Sequence, residues 1–141
     1  DFSETSGTAV EWAGDLARDL GIPVVVAHAV EPIRVPSQWR PIAEESDERR
    51  LSDARAKLEG LSARLHGVKK GQTVVWLGSP ADSIASIADE QGAGLIVMGL
   101  TGDQGPAAAR PGSIAYRVLS QALVPVLVVP PGEGGRLKAE G

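Results

Sequence analysis

The residues best suited to chemistry sit between a buried apolar run and a helix near the C-terminal end. Gly99, Gly102, Gly112 and Ser113 are separated by two residues, then nine, then none. Glycines at the carboxyl end of a strand let backbone N–H groups come close to an anion and take positive φ values. Gly112-Ser113 opens the following helix, where orphan N–H groups and the helix dipole favour negative charge. The Ser113 hydroxyl adds a donor, and Arg110 adds a charge-assisted contact to phosphate. The segment lacks the Gly-Lys-Ser/Thr of a Walker A loop and does not fit the Rossmann Gly-x-Gly-x-x-Gly. Glycine content alone leaves open a plain loop with turn glycines.

The remaining titratable residues suggest little. His28 lies in an apolar strand and reads as a packed or strand-end histidine. His66 sits at a helix end, where a cation suits the dipole. Asp103 would reach Mg²⁺ beside phosphates, but a solvated loop acid is the simpler assignment. The chain has no cysteine, which removes disulfides, thiolate metal sites and thiol catalysis. No Ser/His/Asp set and no metal-ligand spacing is visible, so no catalytic residue and no metal site is assigned. Trp12, Trp39 and Trp76 fall on a helix, a loop and a strand, which suits packing better than base stacking. The charged clusters Glu44-Glu45 and Asp47-Glu48-Arg49-Arg50 suit a solvated helix face.

Composition narrows the class. The 141 residues are 43% hydrophobic and 23% charged, enough for one domain with a core. A net charge of −4 argues against a nucleic-acid partner. No apolar run reaches the roughly 18 residues needed to span a bilayer, and the first residues do not form a signal peptide, so a cytoplasmic location is expected.

The elements that must position the glycines follow from periodicity. Val10, Ala13, Leu16, Ala17 and Leu20 form one stripe, predicting a helix over 6–20 closed by Gly21 and Pro23. Val24 to Val30 is a β-branched run expected to be buried on both faces, as in parallel sheets. A loop over 31–41 leads to a helix over 44–65, carried by Leu51, Ala54, Leu58, Leu61 and Leu65. A strand over 73–77 ends at Gly78-Ser79-Pro80, where Ser79 is expected to cap a helix with Ile84, Ile87 and Ala88 inward. A strand over 95–98, a helix over 113–122 with Ile114, Val118 and Leu119 inward, and a strand over 126–129 complete the series. Residues 1–131 form the expected domain and residues 132–141 a flexible tail. Strict alternation of strands and helices predicts a parallel sheet with helices on both faces. With four strands and an opening helix, the pattern looks one strand short, the first and central one.

Jointly these segments resemble the universal stress protein family, in its ATP-binding form. The glycine spacing at Gly99, Gly102, Gly112 and Ser113 carries the resemblance. Asp1-Phe2-Ser3-Glu4-Thr5-Ser6 is similar to the family's Asp-x-Ser-x-x-Ser segment, and Gly78-Ser79-Pro80 with Ile84 to its Gly-x-Pro and following Ile. His28-Ala29-Val30, Leu95 to Gly99 and Val124 to Val129 match strand ends. The resemblance implies an α/β fold with an open five-stranded sheet in order 3-2-1-4-5, its first strand falling before Asp1. It implies ATP as ligand, with Mg²⁺ as an option beside it. Asp1 would touch the ribose or adenine side, and Val30, Met98 and Gly99 would line the adenine pocket. Gly102, Gly112, Ser113 and Ile114 would hold ribose and phosphates, with Arg110 nearby. Gly94 departs from the family's usual Asp, and the nine-residue spacer is unusually rich in small side chains.

The expected function is therefore a nucleotide-binding stress-response regulator with little or no turnover. A nucleotide-free interaction module is the alternative, and a slow ATP hydrolase using Asp1 or Asp103 is a third. A homodimer through the apolar edge strand Val126–Val129 is expected from its unprotected edge and from the resemblance.

Overall fold

The computed structural model describes residues 2–100 and 113–131. Four helices and four strands alternate along them: α1 (Glu4–Leu20), β1 (Val24–Val30), α2 (Arg40–Ala63), β2 (Lys70–Leu77), α3 (Pro80–Glu90), β3 (Ile96–Gly99), α4 (Ser113–Gln121) and β4 (Val126–Val129).

Helix α1 starts two residues earlier than the periodicity suggests because Ser3 is its N-cap. The Ser3 hydroxyl oxygen accepts from the Ser6 N–H at 3.2 Å. Gly21 ends the helix at φ 67°, a left-handed conformation that a side chain disfavours. Helix α2 also starts early, at Arg40, preceded by a 3₁₀ turn over Ser37–Trp39. Pro41, expected in a loop, instead occupies the first helical turn, where its missing N–H is not needed. Ser79 stands at the N-cap of α3, but its side chain makes no cap hydrogen bond; Pro80 and Asp82 supply the helix-start signals there.

Every observed strand pairing is parallel. β1 pairs with β2 from Val24↔Lys70 to Val30↔Leu77, with a register irregularity between Val24 and Val26. β3 pairs with β4 from Ile96↔Val126 to Gly99↔Val129. Among the described residues these are two separate two-stranded sheets. Each has its own core. Val26, Leu58 and Leu65 form one cluster, which Val10 of α1 and Val75 of β2 extend. Ala81, Ile96 and Val118 form the other, extended by Ile84 and Met98. Thus α2 covers β1 and β2, and α1 packs chiefly against β3 and also against β4 and β1, while α3 packs against α4, β1 and β2, and α4 against β4.

The structure shifts two expected buried faces. On α1 the buried residues are Thr5, Ala9, Gly14 and Ala17, while Leu20 is 60% exposed. Small residues face inward because the helix lies close to its neighbours: a Cβ on Gly14 would sit 2.8 Å from Leu65. On α4, Val118 is fully buried and Ala115 nearly so, but Ile114 and Leu119 are 43% and 45% exposed. The strand β1 is not buried throughout either, since Ala27 is exposed. No helix among the described residues is long and apolar enough to cross a membrane.

Candidate functional site

A cavity of about 520 Å³ separates the two sheets. Its walls include the consecutive residues 24–29 of β1 on one side and 95–100 on the other, with Ser6, Ala9 and Ala13 of α1 and Ile84 and Ile87 of α3. Its carboxyl end is bounded by His28, Ala29, Gly99, Leu100 and the first residues of α4, Ser113 and Ile114. In open α/β sheets this end, at a change in strand order, is where ligands bind.

The helix start and the strand end are brought together here by packing. Gly99 closes β3 against the first turn of α1, where a Cβ would lie 2.8 Å from Thr5 Cγ2. The Leu100 N–H donates to Val129 O at 2.8 Å, which fixes where the chain departs from the sheet. Ser113 is the first residue of α4, is exposed and lines the cavity, so the start of that helix lies at the cavity mouth. Orphan N–H groups at such an end attract anions.

On the β1 side, Phe2 and His28 stack with ring centroids 4.5 Å apart at 37°. The Lys57 ammonium lies 5.4 Å from the Phe2 centroid. Burial, together with neighbouring positive charge that includes the Lys57 ammonium, lowers the His28 pKa from 6.5 to about 4. The ring is therefore neutral at pH 7 and offers an uncharged, flat surface at the carboxyl end.

Of the residues expected to hold a ligand, Met98, Gly99, Ser113 and Ile114 line the cavity. Val30 does not: it is buried at 4% exposure, and its carbonyl accepts from the Gly78 N–H at 2.9 Å. Asp1, Gly102, Arg110 and Gly112 lie outside the described residues. Periodicity did not single out Phe2 or Ser6 as cavity neighbours, and it assigned His28 no role. The strand alternation that buries Val26 and Val30 also places His28 on their face, which was a usable signal. Among the described residues no group of three His, Cys, Asp or Glu could hold a metal.

A second depression, about 270 Å³, lies between α1 and the end of α2 and is lined by Glu11, Asp15, Arg18 and Arg64. Its charges are mutually satisfied by Arg64–Glu11 at 3.2 Å and Arg18–Asp15 at 2.9 Å. A self-neutralised pocket of this kind selects no charged ligand.

Comparison with known proteins places this arrangement. The model of the universal stress protein family matches residues 1–130. A universal stress protein of Thermus aquaticus is 34% identical over 130 residues, covering 92% of this chain and 93% of that protein. The solved structure of the universal stress protein UspA from Lactobacillus plantarum superposes with a TM-score of 0.81 at 20% identity, covering 92% of each chain. A universal stress protein solved in complex with cAMP superposes with a TM-score of 0.58 at 23% identity, covering 94% of this chain and 92% of that one. The last two likenesses bear on the fold alone.

Proposed function

This chain belongs to the universal stress protein family, and on that premise we propose that it is a regulatory domain that binds an adenine nucleotide at the carboxyl end of its sheets. The observation that carries the proposal is the convergence of Gly99, the start of α4 at Ser113 and the His28–Phe2 ring pair on one cavity mouth. A neutral ring surface suits a base, and exposed helix N–H groups suit phosphate. The solved relative with cAMP shows that a protein of this fold can take an adenine nucleotide. ATP is the ligand the resemblance to the family favours, with phosphates held by Gly102, Gly112, Ser113 and Ile114, by Arg110, and by Mg²⁺ where present. Met98 and Gly99 would line the adenine pocket, and Asp1 would reach the ribose.

Turnover should be slow. His28, with its pKa near 4, is too weak a base to take a proton from water efficiently. Asp1 and Asp103 are the acids a hydrolase would have to use instead. A steady-state phosphate-release assay on Asp1→Asn and Asp103→Asn should find no large drop from an already low rate.

In this reading the site rests on one five-stranded sheet, with the observed pairs β2-β1 and β3-β4 as its two halves on either side of a central strand. The outer edge of β4 makes a homodimer. Leu127, 36% exposed, with Leu119 and Leu123 near it in sequence at 45% and 93%, gives that edge its apolar character. Light scattering should report twice the chain mass, and Leu127→Lys should return it to one.

Calorimetric titration with ATP tests the binding directly. Heat that vanishes on Gly112→Trp supports the proposal. No heat at millimolar ATP favours instead a nucleotide-free interaction module working through the β4 edge.

A further inference from the structure

We propose that the segment linking β1 to α2, together with the first turns of α2, is a docking surface for a short acidic and apolar peptide segment of another protein. The inference goes beyond nucleotide binding and does not depend on it.

Four large apolar side chains are exposed on this stretch: Ile33 at 40%, Val35 at 39%, Trp39 at 53% and Ile42 at 62%. Single exposed apolar residues are ordinary, but four on one short stretch form a patch. They share one side of α2. The helix turns about 100° per residue, and its buried residues Ala43, Asp47, Ala54 and Leu58 mark the side toward the core. On that wheel Trp39, Ile42 and Ser46 fall on one flank, and Glu44 and Glu48 on the other. The Arg50 guanidinium, on the first flank, donates to Glu31 O at 2.8 Å. The linking segment therefore runs beside Trp39 and Ile42, away from Glu44 and Glu48.

The surface is held in place. The buried Asp47 carboxylate accepts from the Ile33 N–H with both oxygens at 3.3 Å and pairs with Arg50 at 2.9 Å. Two backbone groups of the linking segment, Glu31 O and Ile33 N–H, are thus tied to α2. Pro32, Pro36 and Pro41 fix further φ angles along it. Tied in this way, the segment does not fold its apolar side chains inward, and little ordering entropy remains to be lost when a partner binds.

Charge and area identify the occupant. Arg34 lies between Ile33 and Val35, and Arg40 between Trp39 and Ile42. Both are exposed, and neither forms an ion pair among the described residues. Arg40 opens α2, the end at which the helix dipole disfavours a cation, so its charge does not serve the helix. Arg49 lies two turns beyond Ile42 on the same line and is held only by an exposed pair with Glu45 at 2.8 Å. A pair of that kind is worth little and readily exchanges for another carboxylate. Glu31 and Asp53 lie at the end of the flank away from Trp39. Carboxylates set among apolar side chains therefore complement the patch. The four side chains offer a few hundred Å² of apolar surface, enough for two or three anchors of a peptide. That is well under the about 800 Å² per partner of a stable protein–protein interface, so a second copy is a poor occupant. A bilayer suits it no better, because lipid-bound surfaces are broadly cationic and this chain carries a net charge of −4.

Selection from a displayed library tests the assignment. The probe is phage carrying random short peptides, selected on the 141-residue chain without nucleotide and depleted on the Trp39→Ser/Ile42→Ser variant. The peptides retained should combine aspartate or glutamate with leucine, phenylalanine or tryptophan. A fluorescein-labelled copy of the most frequent one should lose at least about tenfold in affinity on Trp39→Ser or Ile42→Ser. Arg40→Glu should cost at least about threefold, and added salt should weaken binding to the parent. Trp39 and Ile42 are exposed, so the urea midpoints of their variants should match the parent. If the serine variants unfold, Arg34→Glu/Arg40→Glu takes their place in the depletion. No retained family of peptides, a family without acidic residues, or an affinity unchanged by these substitutions would overturn the proposal. So would a dimer mass in the Leu127→Lys background that disappears on Trp39→Ser, since a second copy would then hold the surface. Sedimentation with phosphatidylserine vesicles that disappears on Trp39→Ser would overturn it in favour of a membrane. None of these readouts uses nucleotide, so their failure is separable from a failure of the nucleotide assignment.

Discussion

Gly99→Ala isolates the packing that holds the start of α1 against the end of β3. Gly99 is not among the glycines with positive φ, so alanine meets no backbone penalty there. The new Cβ would lie 2.8 Å from Thr5 Cγ2, closer than carbon atoms approach, and 3.4 Å from the Thr5 Cβ and carbonyl carbon. Thr5 is 8% exposed and β-branched, so its methyl cannot swing away without rotating its hydroxyl too. Overpacking of this size costs about 1–3 kcal/mol. For a chain of this length that is a fall in Tm of roughly 3–10 °C. Thr5→Ser alone removes one buried methyl and should cost about 1 kcal/mol. In the double variant the 2.8 Å clash disappears and ordinary contacts remain. The pair should therefore be no less stable than Gly99→Ala alone, with a coupling energy of about 1–2 kcal/mol by urea unfolding. Additivity within about 0.5 kcal/mol, or a neutral Gly99→Ala, would refute the close approach of α1 to the cavity mouth.

Three further outcomes follow from the geometry. Asp47, whose side chain is 8% exposed, accepts from the Ile33 N–H with both oxygens at 3.3 Å and pairs with Arg50 at 2.9 Å. Asp47→Ala should cost about 2 kcal/mol and speed exchange at Ile33, whereas Asp47→Asn should cost about half that. His28 has a folded pKa of about 4 against 6.5, so the unfolded chain binds more protons between those values and stability falls as pH drops from 6.5 to 4. The unscreened ceiling is about 3 kcal/mol, and a half-buried ring should show on the order of 1–2; chemical denaturation of His28→Gln at pH 7 and pH 4.5 should show a smaller difference than the parent. Val118→Ala, at a fully buried position, should cost about 2 kcal/mol, while Leu119→Ser should cost under about 1, measured by the urea midpoint under monomeric conditions.

The order of elements was legible because strand and helix periods differ and because Gly21, Pro80 and Pro125 punctuate them. The inward faces were less so. On α1 the stripe through Leu16 and Leu20 is the more hydrophobic, but the helix lies too close to Leu65 and β3 for it; Ala17 of that stripe is buried with Ala9 and Gly14, while Leu20 is exposed. On α4 three apolar residues compete for one narrow contact, and Val118 with Ala115 wins over Ile114 and Leu119. The start of α2 was missed because Pro41 suits a loop and a first helical turn equally. At the site, the spacing pointed to Gly99 and Ser113, which the fold brings to one end of the cavity. Val30 came from the resemblance alone; in the fold it is buried beside the cavity rather than lining it, and its carbonyl accepts from Gly78. The Phe2–His28 contact joins residues 26 positions apart, across a turn that no local pattern encodes.

The account depends most on nucleotide reaching the mouth formed by β1, β3 and the start of α4. Backbone amide shifts of the chain on addition of ATP test this residue by residue. The account predicts the largest changes at Gly99, Leu100, Ser113 and Ile114, with smaller ones at Phe2 and His28, and none at Arg18 or Arg64 in the depression between α1 and α2. Shifts centred on that depression, or none at Gly99 and Ser113 at saturating ATP, would contradict it.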